Sequence, residues 1–415
     1  METTVTVGRA SAPKGHLPTL IASFLHFDLC FMLWALPGAL GIFIARDLQL
    51  SPAAKGLMVA IPILSGSLLR VPMGLLSDRF GGRRVGLAML VFLLVPLLAG
   101  WQYGTNLPAL LAIGLLLGTA GASFAVALPL ASRWYPPQRQ GLVMGIAAAG
   151  NSGTVIANLL APRLATIVGW HNVLGLAMIP LALVILLFAM LAKDSPGTTR
   201  RQPLRAYLAA LTSSDLWWFC LLYSVTFGGY VGLSSFLPTF LHDQYGMEAI
   251  NAGYLTALAA FVGSGLRPVG GWLADRFGGV RMLTILLLGI VATYGLGAQL
   301  PPLRVMAVLL ILGMACLGMG NGAVFQLVPQ RFRQQIGVAT GTIGAIGGLG
   351  GFVLPNVLGL VRQNTGSFGA GFMILAGIAL MVLVVLRVLV GVRSGWRMVW
   401  REAQLGEPAG ERATV

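Results

Sequence analysis

Residues 68–84 read LLRVPMGLLSDRFGGRR, and residues 265–281 read GLRPVGGWLADRFGGVR. A shift of 197 positions superimposes Arg70 on Arg267, Gly74 on Gly271, Asp78 on Asp275, Arg79 on Arg276 and Phe80 on Phe277. The chain is therefore two copies of one unit. In each copy a lone arginine stands well inside an apolar segment, eight residues before a charged, glycine-rich turn. An ionised side chain at that depth in a membrane span is costly and marks a functional position by default. Two of them at equivalent places predict a shared anion site on a pseudo-two-fold axis.

The 415 residues are 57% hydrophobic and 9% charged, with 56 glycines, a profile that fits a polytopic membrane protein and no ordinary soluble class. A helix needs about 20 apolar residues to cross the hydrocarbon core. Twelve stretches qualify, near 19–45, 53–77, 83–102, 107–132, 139–165, 171–192, 216–240, 249–274, 280–299, 303–328, 336–361 and 369–392. The expected fold class is an all-α integral membrane protein with twelve transmembrane helices in two pseudo-symmetric six-helix bundles. The first apolar run is too long for a signal-peptide core and reads as an uncleaved span.

The formal charge of +15 is explained by its distribution. With both termini in the cytoplasm, nineteen basic residues fall on that side, among them Arg79, Arg83, Arg84, Arg133, Arg200, Arg201, Arg276 and Arg331. The opposite side holds five: Arg46, Lys55, Arg163, Arg304 and Arg362. This positive-inside bias orients the protein and removes the need for a nucleic-acid partner. Cys30, Cys220 and Cys316 lie in apolar segments without metal-ligand spacing and read as small core residues. No cofactor, metal or enzymatic constellation is expected.

The longest polar interruption, KDSPGTTRRQPLRAYLAALTSSD at 193–215, sits where the repeat demands a midpoint. It divides the chain into an N-terminal bundle (1–192), a cytoplasmic linker (193–215), a C-terminal bundle (216–392) and a cytoplasmic tail (393–415). The repeat continues beyond the opening motif. Gly121 maps on Gly318 and Gly150 on Gly347 at the same offset, and Arg133 on Arg331 one residue later. Parallel repeats with a substrate site at the midplane between them are a known transporter plan. In the tail, Trp396 and Trp400 stand beside Arg393, Arg397 and Arg401, a pattern for either an interfacial helix or a basic tail.

The turn G-x-x-x-D-R-x-G-x-R-R, carried by Gly74, Asp78, Arg79 and Arg83, resembles the signature between the second and third helices of the major facilitator superfamily. Gly271, Asp275 and Arg276 belong to its degenerate second copy. Glycine permits a tight turn and close helix approach. Asp78 and Asp275 are expected to cap or pair across neighbouring helix ends and so to latch one face shut.

Asp28, Arg70 and Arg267 are the charged residues that lie deep in the expected spans. Arg70 is about 12 Å along its helix from Asp78, nearly half the thickness of the hydrocarbon core. Arginine offers a planar fork of donors and stays ionised, which suits a planar oxyanion. Two forks can grip a trigonal anion such as nitrate or nitrite by its edges. The competing role for each arginine is structural pairing with carbonyls or with Asp28, but two cations and one acid leave a charge over.

Two glycine-dense segments, GLVMGIAAAGNSGTVIANLLAPRL (141–164) and GVATGTIGAIGGLGGFVLPNVLG (337–359), occupy corresponding helices. Each glycine inside a helix costs about 1 kcal/mol relative to alanine, so the clusters imply close backbone approach. They resemble the paired nitrate signatures of the nitrate/nitrite porter family within that superfamily, and the resemblance covers all twelve spans. It implies that Arg70 and Arg267 bind the anion, together with Asn151, Gly344 and Gly347 from the signatures. It further implies roles for Gly121 and Phe124 in the fourth helix and for Tyr223 and Phe227 in the seventh. The first signature departs from the family form in Ser152 after Asn151 and in alanines at 147–149.

Anion uptake works against an inside-negative potential worth about 2.3 kcal/mol per charge per 100 mV, so it needs a co-transported cation or an exchanged anion. Asp28 and His26, in FLHFDLCFMLW, are the proton-coupling candidates, and this opening resembles the proton-symport branch of the family. The expected function is secondary transport of nitrate, with nitrite a second cargo, by nitrate/proton symport for nitrate assimilation. Nitrate/nitrite antiport and a non-transporting anion sensor are the alternatives. The expected location is a bacterial cytoplasmic membrane, multi-pass, with the lipid bilayer as surroundings and the chain acting as a monomer.

Overall fold

The computed structural model describes residues 15–135, 143, 144, 146–195, 211–332, 336–393 and 396. Helices account for nearly all of them, because apolar stretches of this length satisfy their backbone hydrogen bonds internally. In chain order they are α1 Leu17–Asp47, α2 Pro52–Phe80, α3 Gly82–Tyr103, α4 Leu107–Ser132, α5 Gly153–Val168 and α6 Trp170–Leu191. The second half contains α7 Ser214–Tyr245, α8 Ala249–Phe277, α9 Gly279–Gly297, α10 Leu303–Arg331, α11 Ile336–Thr365 and α12 Gly369–Val392. Eleven helices among the described residues are long and apolar enough to cross a membrane. The other is α5, which a 3-10 turn, Ala149–Ser152, leads into; part of its expected span, 139–142 and 145, lies outside the described residues.

The duplication is visible in backbone geometry. Helices α2 and α8 both have 29 residues and both end on the phenylalanine of the DRF motif. The next residues, Gly81 and Gly278, have φ of 93° and 92°, a region open to glycine at no steric cost. Each turn reverses the chain directly into α3 or α9.

The halves meet along a seam of small residues. Helix α2 lies against α11, α1 against α7, and α5 against α8. A side chain at Gly56 would strike the Pro355 carbonyl, one at Gly38 the Ser235 backbone, and one at Gly253 the Asn158 carbonyl. Close approach therefore depends on glycine at these positions. At the same end Lys55 Nζ reaches Asp243 Oδ2 at 2.6 Å, joining α2 to α7. Toward the other end the seam opens. Gly74 meets only Ala125 of its own half, Gly271 meets Gly322 of its own half, and Gly341 meets nothing within 4 Å.

The residues of the expected gating motif have the following neighbours, and one expectation for the tail needs correction. Asp78 pairs with Arg133 at the end of α4, inside the N-terminal half. Arg83 donates its backbone N–H to Asp194, at the start of the linker, at 3.1 Å and its Nη2 to the Ala189 carbonyl of the same half at 2.7 Å. Arg79 lies over Phe80, Arg276 over Trp272 and Phe277, and Asp275 is exposed. In the N-terminal half the motif ties helix ends together across a turn only one residue long. The ion pair between Lys55 and Asp243 spans the halves at the opposite end. Trp396, expected on an interfacial helix or in a basic tail, packs into the protein instead. It is 1% exposed, stacked on Phe219 at 5.1 Å, and donates Nε1–H to Asp215 Oδ1 at 3.0 Å. Residues 397–415 of the expected tail and 196–210 of the expected linker lie outside the described residues.

Candidate functional site

Arg70 and Arg267 come from α2 and α8 and converge on Tyr223 of α7. Arg70 is 1% exposed. Its Nε donates to the Gly121 carbonyl at 3.0 Å, and its Nη1 donates to the Gly344 carbonyl across the seam. Gly121 sits in a 3-10 stretch of α4, Gly118–Ala122, which turns its carbonyl off the helix axis. Three rings surround the guanidinium: Phe227 at 4.8 Å, Phe124 at 5.4 Å and Trp34 at 5.8 Å from the cation. Each such contact contributes about 0.5–2 kcal/mol, against several kcal/mol for desolvating the charge.

Arg267 is held more loosely. Its Nη2 donates to the Tyr223 hydroxyl at 3.5 Å, and its guanidinium lies 5.8 Å from the Phe325 ring. The buried Nη2 of Arg70 and the buried Nη1 of Arg267 have no hydrogen-bond partner. Neither arginine is ion-paired among the described residues; the four ion pairs there use other groups. Two cations with spare donors between them make an anion-attracting centre.

The aromatic frame of this centre is rigid. Tyr223 and Phe227 stack at 4.9 Å with an interplanar angle of 1°. Their four-residue spacing would normally put them about 40° apart on a helix, but the π-helical turn Ser224–Gly228 begins between them. Such turns occur often at functional sites. Phe325 meets Tyr223 edge-on at 4.9 Å and stands 6.1 Å from Phe124. Gly347 lies under the Tyr223 ring so closely that any side chain there would collide with it.

Of the expected site residues, the structure gathers Arg70, Arg267, Tyr223, Phe227, Phe124, Gly121, Gly344 and Gly347 around one centre. Asn151 is 2% exposed, with its Oδ1 unpartnered, in the turn that leads into α5. Asp28 accepts a hydrogen bond from Ser152 Oγ at 2.6 Å and makes no ion pair among the described residues. His26 points elsewhere. It is buried with Nε2 3.2 Å from the Gly86 carbonyl and its ring 4.9 Å from Phe188, on the α3 and α6 side of α1. Sequence reading missed Trp34, Phe325 and Asn321. For Phe325 and Asn321, their four-residue spacing beside the glycines of GMGNG was the available signal. Trp34 had none, since its Nε1–H is fixed by the Pro62 carbonyl at 2.8 Å, a contact between helices.

A model of the Major Facilitator Superfamily matches residues 22–355. The "Nitrite extrusion protein" of Bacillus subtilis is 36% identical over 351 residues, covering 84% of this chain and 88% of its own. The "Probable nitrate transporter NarT" of Staphylococcus epidermidis is 34% identical over 361 residues, covering 85% and 91%. Among solved structures, the xylose transporter XylE of E. coli in a partially occluded inward open conformation superimposes with a TM-score of 0.70. That match covers 90% of this chain and 97% of XylE at 15% identity, so it speaks for the fold alone. By the extent of these matches and the repeated motifs together, the chain belongs to the nitrate/nitrite porter family of the major facilitator superfamily, a family of membrane transporters rather than enzymes.

Proposed function

We propose that this protein imports nitrate, with nitrite as a second cargo, across a bacterial cytoplasmic membrane, and that uptake is coupled to a proton. One observation carries the reading: a guanidinium from each half faces Tyr223, and each keeps an unpartnered buried N–H. A planar anion between them would accept from both forks, and the stacked rings would exclude water from its faces. The names of the relatives support nitrate and nitrite as the cargo. Residues 1–192 and 216–392 act as two rocking units of a monomer in this reading. With both termini cytoplasmic, the seam is closed outside and open inside.

The fixed charges bear on coupling, since a proton on Asp28 would leave the loaded site at +1. Two arginines, ionised Asp28 and one monovalent anion sum to zero, +2 −1 −1 = 0. Asp28 is the preferred proton carrier because it adjoins Asn151 and Ser152 without being locked to either arginine. His26, turned toward Gly86, is the weaker candidate. The test is nitrate uptake into proteoliposomes under an imposed pH gradient, with and without internal nitrite. Acceleration by an inward proton gradient supports symport. Gradient-insensitive uptake that requires internal nitrite would establish antiport, and binding without either flux would indicate a sensor.

A further inference from the structure

One turn from the arginine pair, toward the closed end of the seam, lies a layer of uncharged polar groups. Asn321 of α10 is 1% exposed, and its Oδ1 has no partner. Its neighbours fix its direction. Gly318, Met319 and Gly322 press on α8, Leu317 and Gly320 press on α7, and Cys316 presses on Gly289 of α9. Asn321 therefore points between α7 and α8, on the same face as Phe325, which meets Arg267. Four residues of helix separate them, about 6 Å along the axis.

Two more groups lie on the helices that flank Asn321. Ser264 precedes Arg267 by three residues on α8, and Tyr230 follows Phe227 by three on α7. Tyr230 is buried, and its hydroxyl lies 2.5 Å from Ser264 Oγ. Thr154 of α5, from the other half, is an electrostatic neighbour of the same hydroxyl, and so is Arg267. Beyond this layer, a cavity of about 10 Å³, roughly one water in size, is lined by Trp34, Thr154, Ser234 and Ser235 from both halves.

We infer that Asn321, Tyr230 and Ser264 form a second, uncharged subsite for a small oxyanion, one step outward of the arginine pair. Rotation of an unpartnered amide presents its two N–H donors; the Tyr230 O–H donates to the Ala260 carbonyl at 3.3 Å or to Ser264 Oγ, and in the second arrangement the serine O–H is free as a third donor. The nearby guanidiniums repel a cation from this layer and attract an anion. A weak site beside a strong one serves transport, because a carrier must release what it binds. The anion passes from the uncharged layer to the arginines as the contact between Thr154 and Tyr230 closes behind it.

This inference rests on the arginine pair being the anion site. The test compares wild type, N321L, N321S and Y230F. It reads nitrate binding to purified protein by calorimetry and tracer nitrate exchange in proteoliposomes. N321L is expected to slow exchange about tenfold, the effect of losing one good hydrogen bond in a transition state, while its nitrate Kd stays within about threefold. N321S, which restores a hydroxyl, should recover part of the rate, and Y230F should slow exchange by a smaller factor. Wild-type exchange in a folded N321L, or a Kd loss as large as the rate loss, overturns the second subsite. If wild type neither binds nor exchanges nitrate, or R70K leaves both unchanged, the arginine reading falls and this one with it. Exchange that depends on Arg70 but not on Asn321 refutes the second subsite alone.

Discussion

Replacing Arg70 with lysine tests the centre of the argument. The guanidinium makes two carbonyl contacts, to Gly121 and Gly344, and lies among three rings. Its remaining Nη2 is the group left for an anion. A lysine ammonium is a compact point charge and cannot reach two carbonyls while holding an edge of a planar anion. The loss for the anion is then about one charge-assisted hydrogen bond, ~1.5–3 kcal/mol, or roughly 10- to 150-fold in Kd. A structural penalty accompanies it, because Arg70 ties α2 to α4 and, across the seam, to α11. Arg267 has the single 3.5 Å contact to Tyr223. R267K should therefore weaken nitrate binding by a similar factor yet leave thermal stability closer to wild type than R70K does. Calorimetric titration with nitrate and a melting curve of the same preparations measure both quantities. A Kd within about threefold of wild type in either folded variant refutes the fork argument.

Three further outcomes follow from the same geometry. G347A places a methyl group against the Tyr223 ring, which is confined by Phe227 and Phe325; an overpacking cost of about 1–3 kcal/mol should fall on the site and lower nitrate affinity at least tenfold. Unaltered affinity in G347A would mean that the ring moves freely. D28N should abolish acceleration of uptake by a pH gradient while preserving exchange, whereas retained acceleration removes Asp28 from the proton path. K55E replaces the 2.6 Å attraction to Asp243 by repulsion between partly buried like charges. Between the exposed and buried limits for such a pair, about 1–2 kcal/mol should shift toward opening of that end, a factor of roughly 5–30. Hydrogen exchange in α7 near Asp243 should rise, and the swapped pair K55E/D243K should return it to the wild-type level.

Much of the fold was legible because its causes are local or additive. Runs of apolar residues mark helices wherever they sit in the chain, and the glycine after DRF takes the positive φ that its turn requires in both copies. The repeat then pointed to Arg70 and Arg267 as partners, and the family resemblance to the rings and glycines around them. The same local reading reached only partway at the DRF motif. It identified groups able to pair at helix ends but could not say that Arg133, 55 residues away in the same half, is the partner of Asp78.

By itself the sequence determined a duplicated, membrane-spanning helical chain with a cation deep in each copy, since burial of apolar surface and the cost of a buried charge depend on residue type and spacing. Tertiary structure alone decided what those cations face. Trp34 over Arg70, Phe325 beside Arg267, and Lys55 against Asp243 each depend on how helices from distant parts of the chain are rotated and seated. It also decided which end of the seam is shut. That choice depends on packing between halves, where glycines admit a backbone at Gly38 and Gly56 and leave open space at Gly341. Spacing along one helix carries no information about such rotations, because every face of these helices is apolar enough to be either buried or exposed to lipid.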